Sequence, residues 1–180
     1  KPSGTNTTPF SADPTTEEDQ ELDKRLLDED AVMQLCFITD DLEKSVAWFA
    51  DLTGKQPAHQ GKSAAPEIAQ ATYLGKPATI SFRLALFRFG NIDLEFLEPG
   101  PEPSTWRDQL DERGPGFHHF AFRTRNMTNR RAFLEGKGLN MIQHGEFEGS
   151  DGRYEYFDST DRMGAIIELL EWDRDKEPQA

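Results

Sequence analysis

The strongest constraint on what this chain can fold into is a pattern that it runs through twice. Residues 32–39 alternate as a half-buried strand does. Asp40 then stands where a helix N-cap belongs, with Glu43 three residues on, and Leu42, Val46 and Phe49 fall on one helical stripe that Gly54 closes. Strand-like runs follow near 71–74, 80–89 and 92–97. The same succession returns later: a strand over 117–124, a helix from Met127 to about Gly138, and strands near 141–147, 153–157 and 165–170. A shift of 85 residues lays Gln34 on His119, Thr39 on Thr124, Leu42 on Met127 and Trp48 on Phe133. Each half reads β-α-β-β-β, so the expected class is α+β: two paired βαβββ modules, each offering one sheet face, closing together into a cup. Two copies are too few for a solenoid.

The modules are expected over residues 31–100 and 115–172, within one domain spanning 31–172. Between them, Thr105 and Asp108 read as a capping-box pair at the start of a linker helix over 103–113, with Trp106 and Leu110 on its apolar face. Residues 1–30 read as a flexible acidic leader and 173–180 as a tail. Within the leader, 17–30 could form a short helix on Leu22 and Leu26. The formal charge is −13, and residues 1–31 alone hold nine acids against three bases. Such a balance argues against nucleic acid and anionic membrane surfaces as partners. No apolar run reaches the length of a membrane span. The first residue is Lys1 rather than Met, so a trimmed or processed start is expected; a cytoplasmic location is favoured, and export with a cleaved signal stays open. The single cysteine, Cys36, excludes an internal disulfide and a cysteine-based structural zinc site, and its apolar run marks it as a small core residue.

Strand alternation tests the polar residues. Gln34, Cys36 and Ile38 share one face of the first strand; Asp93, Glu95 and Leu97 share one face of theirs. Phe117, His119, Ala121 and Arg123 oppose His118, Phe120 and Phe122, and Glu168 sits with Ile166 and Leu170 against Ile167 and Leu169. Four strands thus each place one metal-competent group among apolar neighbours: Gln34, Glu95, His119 and Glu168. A lone glutamate inside Ala-Ile-Ile-Glu-Leu-Leu is costly to bury, and a shared cation would offset that cost for all four groups at once. The spacing is 61 residues from Gln34 to Glu95 and 49 from His119 to Glu168; the difference of 12 fits one long loop near 56–70.

Four stretches carry a family resemblance: Gln34-Leu-Cys-Phe-Ile-Thr-Asp-Asp-Leu-Glu-Lys with Phe49 and Gly54 beyond, Asp93-Leu-Glu-Phe-Leu-Glu-Pro99, Gly116-Phe-His-His-Phe-Ala-Phe122, and the segment from Phe157 through Gly164 to Leu169. In that order and spacing they resemble the vicinal oxygen chelate superfamily of glyoxalase I, methylmalonyl-CoA epimerase, extradiol dioxygenases and bleomycin-resistance proteins. The tandem His118-His119, the Trp106 segment and the turn over 158–164 resemble the epimerase branch. Gln34 departs from that branch, which usually has His there, and the set Gln, Glu, His, Glu is similar to that of animal and yeast glyoxalase I. The resemblance implies one divalent ion (Zn, Ni, Co, Mn or Mg) held by Gln34, Glu95, His119 and Glu168, a site with no thiolate. Only one His at a ligand position disfavours a dioxygenase.

The implied activity is that of a metal-dependent isomerase or epimerase. It would abstract a proton next to a carbonyl or thioester through a metal-stabilised enediolate, with Glu168 and Glu95 as the candidate bases on an acyl thioester or related carbonyl compound. A glyoxalase I-like lactoylglutathione lyase is the near alternative, and a metal-free binding or resistance protein the alternative of a different class. A homodimer is open to a chain of this family, though no residue proves it. Outside the four positions, His118 is expected on the opposite face as a structural residue, and Arg123 as the ion-pair partner of Asp93 or another acid rather than an anchor for an anionic substrate. Trp106 is expected to pack and Arg130-Arg131 to lie on a solvated helix face. His59 and His144 carry no assignment.

Overall fold

A computed structural model describes residues 31–175; the leader, the short helix expected within it and the end of the tail lie outside the described residues. The chain builds around β1 (Gln34–Ile38), which pairs in parallel with β6 (Ile92–Pro99) on one side and antiparallel with β7 (Gly116–Arg123) on the other. From β6 the first half continues antiparallel through β5 (Phe82–Phe89) to β2 (His59–Lys62) at the edge. From β7 the second half continues in parallel to β10 (Ile166–Trp172), then antiparallel through β9 (Gly152–Phe157) and β8 (Met141–Glu146). The halves meet at the β1–β7 pair, and each runs strand, helix, then three strands, the α+β architecture expected.

Alternation decides which side chains face which way. On the convex side, α1 (Leu42–Thr53) lays Leu42, Val46 and Phe49 over Phe37, Phe87 and Phe96. There α4 (Met127–Gly136) lays Met127 and Leu134 over Phe120, Phe122, Ile167 and Leu169. The concave side gathers Ile38, Leu97, Trp106, Tyr154, Tyr156 and Leu170. The first helix is capped one residue later than its pattern implies: Asp41, not Asp40, accepts from Lys44 N–H at 2.9 Å. Its far end closes on Gly54, whose φ of 67° is costly for a residue with a Cβ. In the linker helix α3 (Thr105–Arg113) the cap is Ser104, accepting from Arg107 N–H, so Thr105 is free to donate its N–H and hydroxyl to Gln143 Oε1.

The long insertion of the first half is the main departure from expectation. Within the segment read as a loop, residues 59–62 form β2 and Pro66–Ala69 form the short helix α2. The run near 71–74 does not join its own half. Thr72–Tyr73 (β3) and Lys76–Pro77 (β4) make a hairpin that docks on β8, with Thr72 opposite His144 and Tyr73 opposite Gln143. The edge of the second half is therefore covered, and among the described residues that of the first half is left open at β2. Tyr73 OH donates to Asp108 of the linker helix, which ties the hairpin down. Arg130 is buried and Arg131 pairs with the buried Glu155, so that pair is not a solvated face. Arg123 pairs with Asp175, while Asp93 is taken by Arg88.

Candidate metal centre

Register brings the four expected side chains together. Across the sheet, Cys36 lies beside Glu95 on one side and His119 on the other; one step along, Gln34 and Glu168 flank Ala121. Two rows of inward-facing residues result, with the short side chains of Cys36 and Ala121, both fully buried, forming the floor between the longer ones. Gln34 Nε2 donates to Glu95 Oε2 at 2.9 Å. His119 Nε2 lies 3.6 Å from that oxygen and 3.1 Å from Glu168 Oε2. The second contact is an ion pair whose angles do not make a hydrogen bond, and both of its atoms are buried without a hydrogen-bond partner.

A bulge sets the two histidines. Cys36 pairs with His119 but Phe37 pairs with Phe117, so His118 is the extra residue of β7. The expectation that His118 points to the convex side fails for this reason. The bulge turns Phe117 outward onto Phe37, with ring centroids 5.5 Å apart. It also brings His118 Nδ1 to 2.8 Å from His119 Nδ1. Either nitrogen can donate to the other, according to tautomer, and the contact holds the His119 ring with Nε2 toward the carboxylates. Tyr156 stacks 4.8 Å from the His119 ring and accepts from Trp106 Nε1–H at 3.1 Å, so Trp106 packs as expected while holding a wall of the site. Gly145 lies across from Tyr154, where a Cβ would come within 2.6 Å of the ring.

Burial governs the electrostatics. It pushes Glu95 up to about 7, with His119 opposing the shift and Glu168 adding to it. For His119 burial acts downward, but the charge and contact of Glu168, then Glu95, outweigh it and hold the imidazole above its ordinary value. His118 is driven well below its ordinary value by burial and by its neighbour His119. Burial and Glu95 keep the Cys36 thiol protonated well above the usual range.

The fully buried His119 touches both carboxylates, and Gln34, Glu95 and Glu168 line a cup of about 470 Å³ whose walls are largely apolar, among them Leu84, Leu86, Phe82 and Trp172. Its rim carries His59 and Lys62 from β2 on one side and Glu148 and Asp151 from the β8–β9 turn on the other. The chemistry of the donors fits a divalent ion: two carboxylates, Glu95 and Glu168, and the Gln34 amide lie about the His119 imidazole, and His119 Nε2 and Glu168 Oε2 are buried without hydrogen-bond partners. Two neighbours of this group escaped the sequence reading. Cys36 shares Gln34's face two residues on, a placement the alternation does give, but its apolar run made it look like filler. His118 could not be found, because a bulge is a property of two paired strands.

A curled mixed sheet built from two βαβββ halves places the chain among α+β proteins whose paired modules form a cup. Residues 33–157 match the model of the Glyoxalase/Bleomycin resistance protein/Dioxygenase superfamily, and the chain belongs to that superfamily. It is similar to the crystal structure of methylmalonyl-CoA epimerase from Mycobacterium tuberculosis, at 19% identity and a TM-score of 0.58 over 82% of this chain and 88% of that one. It is equally similar to a variant of Streptomyces coelicolor methylmalonyl-CoA epimerase in complex with 2-nitronate-propionyl-CoA, at 19% identity and a TM-score of 0.58 over 82% and 98% of the two chains. A curated relative, the uncharacterized protein YqjC of Bacillus subtilis (strain 168), is 28% identical over 89 residues, 49% of this chain; the match spans 64% of the relative's length. At these identities the solved structures share the fold of this chain.

Proposed function

We propose that this chain is a divalent-metal-dependent enzyme that moves a proton next to a carbonyl or thioester, in the manner of an epimerase. The observation that carries this reading is the buried contact of His119 Nε2 with both Glu168 Oε2 and Glu95 Oε2, two carboxylates that line an apolar cup, with His119 Nε2 and Glu168 Oε2 lacking hydrogen-bond partners. Gln34, Glu95, His119 and Glu168 would hold the ion. When bound, the ion would supply Lewis-acid polarisation of a substrate oxygen. The chain's own groups divide the remaining work. Glu95, tied by Gln34, would serve to hold; Glu168, which lines the cup, would take and return the proton. Tyr156 and the His118 contact keep His119 in one orientation, and the apolar walls exclude water from the exchanged proton.

The epimerase likenesses support an acyl thioester or related carbonyl compound as substrate, since one of those structures holds 2-nitronate-propionyl-CoA. A glyoxalase-like lyase would begin with the same proton abstraction and differ in the carbon to which the proton returns. The test is α-proton exchange in heavy water, screened over acyl thioesters and hemithioacetals with metal-reloaded protein. Exchange is expected in the native chain and is expected to vanish in Glu168→Gln with the fold intact, since that swap conserves volume. Undiminished exchange in Glu168→Gln would remove Glu168 from the role.

A further inference from the structure

The residue at the centre of the site is the one to which the four-ligand scheme gives no task. Cys36 lies in register between Glu95 and His119, on the same inward face and on the central strand of the sheet. One donor atom from each of these three residues falls within 4.8 Å of the other two. Cys36 is fully buried, so solvent cannot engage its thiol. His119 Nε2 is buried and without a hydrogen-bond partner, as is Glu168 Oε2 3.1 Å from it, an arrangement expected where a ligand is to be received.

We infer that Cys36 is a sulfur ligand of this centre, so that a Cys36–Glu95–His119 core grips the ion from the floor while Gln34 and Glu168 close over it from the next row. The inference rests on the metal-centre reading above and makes it more specific. A thiolate in the set shifts the preference away from the hard ions magnesium and manganese toward zinc, cobalt and nickel. Coordination replaces the S–H bond with a metal–sulfur bond and releases one proton to solvent, the ordinary course for a thiol beside a divalent cation.

Cobalt substitution separates the two readings. Full-length protein stripped with a chelator and reloaded with Co(II) is expected to show visible ligand-field bands and, in addition, a near-ultraviolet sulfur-to-cobalt charge-transfer band. In Cys36→Ser and Cys36→Ala the charge-transfer band should vanish while the visible bands persist, and zinc affinity measured against a chromophoric chelator should fall by about tenfold or more. Visible bands without a charge-transfer band in the native chain would overturn the sulfur ligand and leave the metal centre standing. So would a charge-transfer band that survives in Cys36→Ala. Failure of the native chain to take up cobalt or zinc at all would overturn both.

Discussion

The two halves of the cup position their site carboxylates by the same device and anchor it to different depths. In each, a glutamate on the last strand faces inward, and a second glutamate three residues later turns to the convex side. That second carboxylate takes the first amide of the half's own helix. Leu42 N–H donates to Glu98 Oε2 at 2.8 Å, and Met127 N–H donates to Glu171 Oε1 at 2.8 Å. The helix N-terminus is thereby satisfied and the strand carrying Glu95 or Glu168 is fixed against it. In the first half this anchor is wet: Arg83, which holds Glu98, has a side chain 48% exposed and Glu98 itself 24%. In the second it is nearly dry, with Arg153 at 17% and Glu171 at 5%. The edges differ likewise, since β2 is open and mostly exposed while β8 is covered by the inserted hairpin. The second half, which supplies His119 and Glu168, has the more deeply buried anchor; the first half, which supplies Gln34 and Glu95, has the more exposed one.

The largest effect that would sharpen this contrast is His119→Ala. The change leaves Glu95 and Glu168 buried around a missing counter-charge, and a loss of about 3 kcal/mol or more is expected in chelator-treated protein by urea unfolding. Gln34→Ala, in the other half, removes one hydrogen bond to Glu95 and should cost about 1 kcal/mol. Equal losses would break the comparison.

Next come the helix anchors. Glu171→Ala strips a buried carboxylate from Met127 N–H and from Arg153, and about 2 kcal/mol is expected by the same measurement. Glu98→Ala acts at the surface and should stay near or below about 1 kcal/mol. A reversed order would mean that the depth of an anchor does not set what it contributes.

The inward-facing donors themselves were legible in the sequence. Gln34, Glu95, His119 and Glu168 all stand where simple alternation puts them, because each lies on a strand whose opposite face is filled by a helix. What alternation could not supply depends on partners. The bulge at His118 arises only where β7 meets β1. Strand β2, His-Gln-Gly-Lys, has no apolar face to betray it, since it is an edge strand at the cup's rim. The run near 71–74 does read as a strand, but nothing within it says that it belongs to the neighbouring half. The helix caps slipped by a single residue because Asp40-Asp41 and Ser104-Thr105 each offer two capping side chains in a row.

The smallest effect is graded rather than abrupt. In metal-free protein Glu95 and His119 both hold their protons more tightly than they would in the unfolded chain. Folding therefore retains protons that unfolding releases, so these groups stabilise the fold most below the ordinary carboxylate value. That stabilisation is lost as pH rises through about 7. The cation competes with the same protons, so metal affinity moves the other way and strengthens as pH rises. Melting curves of chelator-treated protein should fall gently from pH 5 to 8, roughly the span of those shifts, while the gain in Tm on adding zinc grows. Parallel curves with and without zinc would contradict the placement of these two groups at the ion.

The most direct measurement is the divalent-metal content of gently purified full-length protein, by elemental mass spectrometry, before and after reloading, alongside the His119→Ala variant. About one ion per chain in the native protein, and none in the variant, is the expected result. No retained ion after reloading, or equal retention in the variant, would contradict a metal centre on the floor of the cup.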